Sequence, residues 1–418
     1  MKSNVAVMGA GIVGTACALE LQRRGYDVTI FDRKTPGRET SYGNAGVIAR
    51  SSIIPLNNPS LWSALPKLAQ NQTAQFRYNP LFVARNLPWA VGFLCNSRAA
   101  AFEETATALD ALIRLSGKEH LRLLREARAQ HRLRTNGWLF LYRSAAGLAG
   151  GRFGREIFDR FAVQTQLLGA AELHDLEPAL LPIFAHTLWV NDTMSVDSPG
   201  AVVEAYAALF RARGGSIVQK EVAHIVRSSA QDRWSVHTDD GGTQTYEHVL
   251  LALGPWCKEF LRKSLGVSLP MVFERGYHMH YSAIGSATLQ RPVYDTEGGY
   301  VLSPMEQGLR LSTGVELADL NAPHNTAQLD MAERAARQAF PLDARLEQDA
   351  WMGCRPTLPD CRPAIGACAG QPGLWLAMGH QHIGFSTGPG TAALIGAMID
   401  GEECAIDPMA FRPSRYIH

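Results

Sequence analysis

Three groups of residues in this chain have types and spacing suited to chemistry. They are glycines spaced to admit a phosphate, an arginine in a glycine–proline frame, and histidines in short glycine-containing stretches. The glycines come first. Gly9-Ala10-Gly11-Ile12-Val13-Gly14 follows the apolar run Val5-Ala6-Val7-Met8, and residues 15–24 then carry apolar side chains at helical spacing. Val28-Thr29-Ile30-Phe31 is a second apolar run, closed by Asp32. Strand, helix and strand in that order make a β-α-β unit. Gly9 permits the tight turn, Gly11 lets the backbone approach a pyrophosphate, and Gly14 lets helix and sheet close together. The amides and positive dipole end at the helix start attract phosphate, and Asp32 is placed to accept hydrogen bonds from a ribose. The fingerprint does not separate FAD from NAD. The acid at position 32 argues against NADP, although Arg33 and Lys34 follow it.

The arginine is Arg355, in Gly353-Cys354-Arg355-Pro356. Its planar fork matches a carboxylate bidentately; the competing reading is a structural ion pair with Asp360. The histidines are His278, in Arg275-Gly276-Tyr277-His278, and His380 and His382, in Gly379-His380-Gln381-His382-Ile383-Gly384-Phe385-Ser386. Each imidazole, and Tyr277, either touches a substrate or packs and hydrogen-bonds near a cofactor. Seven cysteines are scattered without a Cys-x-x-Cys pair, which suits reduced thiols better than disulfides or a metal site; no metal is expected.

Bulk properties narrow the class. With 418 residues, net charge +1 and no basic run, the chain offers no field for nucleic acid. The glycine motif lies too near Met1 for a cleavable leader, so a cytoplasmic protein is expected. Residues 81–95 are the most apolar stretch, but Arg85, Asn86 and Pro88 interrupt it, and a buried or half-buried helix is expected there.

Around these residues the pattern sets out the positioning elements. Helix is expected over 102–130, 198–214, 326–340 and 391–400. Strands are expected over 137–142, 216–220 running on to 226, 234–238 and 248–252, with an alternating, sheet-rich region over 272–316. The fold class expected is α/β (α+β): a Rossmann-type dinucleotide domain interleaved with a mixed-sheet substrate domain. The first would comprise 1–55, 196–262 and 345–418, the second 56–195 and 263–344.

Four separated segments carry a resemblance that runs nearly end to end. They are Thr40-Ser41-Tyr42-Gly43-Asn44-Ala45-Gly46, Val249-Leu250-Leu251-Ala252-Leu253-Gly254-Pro255-Trp256, the Trp351–Asp360 stretch that holds the Gly353–Pro356 frame, and the 379–386 loop. The chain resembles the D-amino-acid-oxidase-like flavoprotein superfamily, and within it the bacterial D-amino acid dehydrogenases. The wording around Arg275 and His380 is similar to members acting on cyclic D-amino acids such as D-proline or D-hydroxyproline. The resemblance implies non-covalent FAD, although some relatives link flavin through a cysteine near the position of Cys354. It implies that Gly9, Ala10, Gly11, Ile12, Val13, Gly14, Asp32, Arg33 and Lys34 hold the ADP half. Thr40, Ser41, Asn44, Ala45, Gly46 and Val47 would run past the pyrophosphate and flavin ring. Val222 would meet the adenine region, and Gly254, Trp256 and Gly353 the flavin side. Ile383, Gly384 and Ser386 would present amides to the pyrimidine end of the flavin. Arg355 would clamp the carboxylate of a D-amino acid whose Cα hydride passes to flavin N5, with Tyr277, His278, His380 and His382 nearby. Electrons would leave to a quinone or dye. Alternatives are a peroxide-forming amine oxidase and a subunit of a larger complex. Peripheral contact with the inner membrane and a homo-oligomer are left open.

Overall fold

The computed structural model describes residues 3–228 and 232–417. Val5, Ala6, Val7 and Met8 are fully buried because strand Asn4–Met8 lies between two parallel neighbours. Val5 stands opposite Val28 of Asp27–Asp32 on one side and opposite His248 of His248–Leu251 on the other. A parallel strand covered on both faces must be apolar throughout, which is why this run does not alternate. The six-stranded sheet has the order Ser216–Gln219, Asp27–Asp32, Asn4–Met8, His248–Leu251, Leu374–Met378, Ala364–Ala367; only the last is antiparallel.

One face of this sheet carries helix Ile12–Arg23, which packs on Gly384–Asp400. The latter helix also lies against the long helix Ala99–Glu126. Small residues set the approach. A Cβ at Gly388 would stand 3.3 Å from Ile12 Cγ1, and one at Gly390 2.9 Å from Ser116 Cβ. This explains a difference from the sequence reading, which began the last helix at residue 391. Residues 384–390 hold three glycines and Pro389, poor helix formers kept here by close packing on both sides.

A second, eleven-stranded sheet centres on strand Val272–Ala283. It pairs antiparallel with Gly308–Thr313 and Val315–Leu317 on one edge and with Trp351–Thr357 and Leu342–Arg345 on the other. Helix Ala327–Ala339 closes a core on this sheet with Leu309, Leu311 and Phe340. Each such fully buried apolar side chain contributes about 1.5–3 kcal/mol. Strand Trp351–Thr357 was grouped by sequence with the dinucleotide segments, but its hydrogen bonds join it to the larger sheet.

Two other expectations are corrected. The run 216–226 divides: Ser216–Gln219 joins the parallel sheet, while Val222–Ser228 joins a separate three-stranded one. The stretch 81–95 is two short helices, Pro80–Arg85 and Leu87–Cys95, broken at Asn86. Phe82 and Trp89 are buried, but Leu81, Leu87 and Val91 are exposed. Among the described residues no helix is long and apolar enough to cross a membrane, and no cluster of His, Cys, Asp or Glu is placed to hold a metal.

Candidate active site

A cavity of about 570 Å³ begins where the parallel strands end and reaches the larger sheet. Gly9, Arg33, Lys220, Ala252 and His380, each just beyond a strand or its first turn, line it. Open α/β sheets bind ligands at this end.

The fingerprint shapes the near wall. Gly9 has φ +108°, and a Cβ there would stand 2.5 Å from the Ala252 carbonyl oxygen, so the turn requires glycine. Gly11, Ile12 and Val13 line the cavity; Gly14 lies behind them, where a Cβ would collide with the Gly9 carbonyl. Gly11 is the N-cap of helix Ile12–Arg23 and has no side chain to cap it, and the first turn holds no acid. The Ile12 amide donates to Ser41 Oγ at 3.0 Å. The positive end of the helix therefore faces the cavity without a protein anion. Asp32 accepts from the amides of Ala10 at 2.6 Å and Lys34 at 2.9 Å, which aim its carboxylate; burial raises its pKa above the usual range. Ala10 thus acts through Asp32 rather than on the cavity wall. Arg33 stacks 4.1 Å over the Trp256 ring, both on the wall beside Gly254 and Val222. Lys34 is not on the wall itself: its ammonium pairs at 3.0 Å with Glu39, which lines the cavity.

Residues Thr40, Ser41, Asn44, Ala45 and Val47 line the next stretch. Gly46 sits behind them at φ +75°, against the Val196 carbonyl. This loop is pinned by a residue the sequence reading missed. Arg310, buried in strand Gly308–Thr313, donates to the carbonyls of Tyr42 at 2.8 Å and Asn44 at 2.6 Å. Its Nε donates to His280 Nε2 at 3.0 Å, and His280 in turn contacts Glu347. Burial lowers the Arg310 pKa to about 10. The signal was an arginine in an otherwise apolar and hydroxyl strand. Opposite, Gly384 and Ser386 line the cavity where helix Gly384–Asp400 begins, again without a capping side chain or first-turn acid. Ser386 Oγ donates to the Val47 carbonyl and accepts from the Ala49 amide, both at 3.1 Å. Ile383 instead turns into the core at 2% exposure.

At the far end Arg355, on the ladder opposite Glu274, turns its guanidinium over Gly276, where any Cβ would collide with it. Its Nη1 donates to the Gly314 carbonyl at 3.2 Å. Among the described residues Arg355 makes no ion pair within 4 Å, and Asp360 is held by Arg362 and Arg415 instead, at 3.2 and 2.8 Å. The structural ion pair weighed for Arg355 is therefore absent, and its fork lies on the cavity wall. Gly353 and Gly43 make room for the Trp351 indole, which also lines the cavity. Trp138, Tyr294 and Tyr300 add aromatic walls that sequence reasoning did not assign.

The histidines and Tyr277 divide. His382 lines the cavity, with Nδ1 3.9 Å from Glu274 Oε2; burial and then Arg355 push its pKa down to about 4. His380 also lines it, but its Nε2 lies 3.0 Å from Thr391 Oγ1, whose proton goes to the Thr387 carbonyl. The His380 ring therefore donates there and is neutral, its pKa pushed by burial to about 3. His278 is corrected: it lies behind Trp351, stacked at 4.8 Å, off the cavity wall. Tyr277 also lines the cavity, while its hydroxyl donates to Glu316 at 2.9 Å and accepts from Arg275 at 2.7 Å. Glu274, fully buried beside Arg355, was missed by the sequence reading.

The comparisons decide the class. The model of the FAD dependent oxidoreductase family, DAO, matches residues 4–398. The chain belongs to that family. This FAD-dependent oxidoreductase is 30% identical over 431 residues to D-amino acid dehydrogenase 2 of Pseudomonas aeruginosa, covering 99% of both chains. It is 28% identical over 424 residues to the D-amino-acid oxidase of Bradyrhizobium diazoefficiens, again covering 99% of both. Glycine oxidase from Geobacillus kaustophilus shares its fold, with a TM-score of 0.75 at 20% identity over 100% of both chains.

The residues present fit FAD. Two uncapped helix starts free of acids face one cavity beside an aimed Asp32, which suits an anionic dinucleotide. Cys354 is on the sheet face away from the cavity, buried with Phe82, Trp89 and Phe273, and burial raises its pKa to about 11. Because Gly276 only makes room for a side-chain end, Gly276→Ala is expected to spare folding and flavin content. It should displace Arg355 and lower kcat/KM by about tenfold or more, a misplacement effect read by steady-state kinetics beside a flavin absorbance ratio.

Proposed function

We propose that this flavoenzyme oxidises a D-amino acid at Cα and passes the electrons to a quinone or dye-type acceptor, with D-proline and cis-4-hydroxy-D-proline as favoured donors. One observation carries the reading: the Arg355 fork, without an ion-pair partner among the described residues, on the wall of the FAD cavity. A half-buried guanidinium left with one carbonyl acceptor calls for an anion of matching shape, and a carboxylate has it. The near-full-length likeness to proteins named D-amino-acid oxidase and D-amino acid dehydrogenase supports the same class.

In this reading Gly9 to Val13, Asp32, the 40–47 loop and Gly384 hold FAD, and Arg355 holds the substrate carboxylate. The aromatic walls of Trp351, Tyr294 and Tyr300 enclose an apolar or cyclic side chain and exclude water. FAD, when bound, supplies a two-electron acceptor for the Cα hydride. The protein contributes position: a carboxylate fixed at one end fixes which Cα substituent meets the cofactor. The domain division belongs to the proposal as well. Segments 1–55, 196–262 and 345–418 hold FAD, with strand Trp351–Thr357 crossing to the substrate sheet, and 56–195 and 263–344 cover the reacting end.

The test is a panel of D- and L-amino acids, including the two cyclic donors, assayed with an artificial dye. Turnover of D- over L-enantiomers is expected; turnover of none would overturn the assignment. Stopped-flow reoxidation in air is expected to be slow, and fast oxidation by dioxygen would replace the dehydrogenase reading with an oxidase.

A further inference from the structure

We propose that His382 takes the proton from the substrate's ammonium group, and that Glu274 behind it is the positioning residue that makes this transfer favourable. The proposal rests on the reading of the cavity as an amino acid site. A Cα hydride leaves readily only when the adjacent nitrogen has its lone pair free, so the ammonium must first lose a proton.

The geometry points to this pair. Glu274 is 1% exposed, near the start of strand Val272–Ala283. Its Oε1 accepts from Thr357 Oγ1 at 2.6 Å. Its Oε2 is buried with no hydrogen-bond partner, and the His382 Nδ1 stands 3.9 Å away. A buried carboxylate oxygen left unmatched is costly, and it is matched once the facing ring becomes a cation. His382 is placed between this carboxylate and the cavity, so a proton arriving from the cavity side turns the pair into an ion pair. The bond that breaks is an ammonium N–H, the bond that forms is an N–H at His382 Nε2, and no electrons change hands.

The surrounding charges explain why the transfer waits for substrate. Burial is the larger obstacle to charge on His382, as it is on Glu274, and Arg355, the cation beside the pair, adds to it by opposing a second positive charge on His382. His380 is neutral. The Cys361 thiol is held neutral by burial and by Glu274 and Asp360. Asp360 itself is tied to Arg362 and Arg415. A substrate carboxylate on Arg355 cancels the opposing charge, so proton affinity at His382 rises when substrate binds.

Two measurements on the holoenzyme test this. The first uses benzoate, a carboxylate without an amine, and needs no turnover. Calorimetry in buffers of different ionisation enthalpy, at mildly acidic pH, should show proton uptake on benzoate binding. The uptake should vanish in His382→Gln and fall clearly in Glu274→Gln, which can retain the Thr357 hydrogen bond. No uptake in the wild type, or the same uptake in Glu274→Gln, would overturn the proposal. The second is the pH profile of kcat/KM. Glu274→Gln should lose about tenfold or more at neutral pH. The loss should shrink as pH passes the amine's own pKa, because the donor then arrives neutral. A loss equal at every pH means a structural role and overturns the proposal while leaving the enzyme's activity assigned. A wild type that turns over no amino acid overturns the activity instead, and the benzoate measurement still decides the pair.

Discussion

Arg355→Ala should raise KM for the amino acid roughly a hundredfold while the protein stays fully yellow. The size follows from what is removed: a charge-assisted, two-pronged contact to a carboxylate, worth about 3 kcal/mol when one buried partner is truncated. The cofactor should be spared, because Arg355 sits at the end of the cavity away from Gly9 and Asp32 and bonds only the Gly314 carbonyl among the described residues. Folding should be spared too. The guanidinium completes no ion pair within 4 Å among those residues, although the buried Glu274 beside it loses a neighbouring positive charge. Arg355→Lys restores the charge without the fork and should recover only part of the loss. Steady-state kinetics with a dye, beside the flavin-to-protein absorbance ratio, checks both halves. Unchanged KM would mean that the carboxylate is held elsewhere.

Gly9→Ala is expected to give a nearly colourless protein, with FAD affinity down by about a hundredfold or more. At φ +108° a side chain is strained by about 1–3 kcal/mol before any contact is considered. The added Cβ would also stand 2.5 Å from the Ala252 carbonyl oxygen, which is backbone and cannot rotate away. The turn must move, and with it the start of helix Ile12–Arg23 that faces the cavity. Gly11→Ala is the control. Gly11 has φ −74°, and its Cβ would meet only the rotatable Ser41 hydroxyl, at 3.2 Å, so the structural cost is smaller. Titration of each apoprotein with FAD, followed by flavin fluorescence, gives the comparison. Wild-type affinity in Gly9→Ala would remove the assigned role of that turn.

The corrections share a cause. Tyr277 and His278 are neighbours in a motif that reads as a unit, yet a strand sends adjacent side chains to opposite faces. Tyr277 stays on the cavity wall with its hydroxyl turned to Glu316 and Arg275, whereas the ring beside it went behind Trp351. Lys34 and Ile383 flank positions on the cavity wall, but Lys34 pairs with Glu39 and Ile383 fills the core. A motif gives the neighbourhood of a site, and the backbone's direction at each residue selects which members face it.

Taken alone, the sequence determined the dinucleotide unit, the order of its elements and the candidacy of Arg355. These are local matters: a contiguous glycine turn, the periods of strand and helix, and a guanidinium framed by glycine and proline. Tertiary structure decided the rest. Glu274 meets Arg355 only through the antiparallel register of two strands distant in the chain, and His382 meets Glu274 only where the 379–386 loop folds back on them. Arg310 reaches Tyr42 and Asn44 by the same long-range pairing. Such contacts depend on sheet register and on which face each side chain takes, and neither is written in the spacing of residues along one segment.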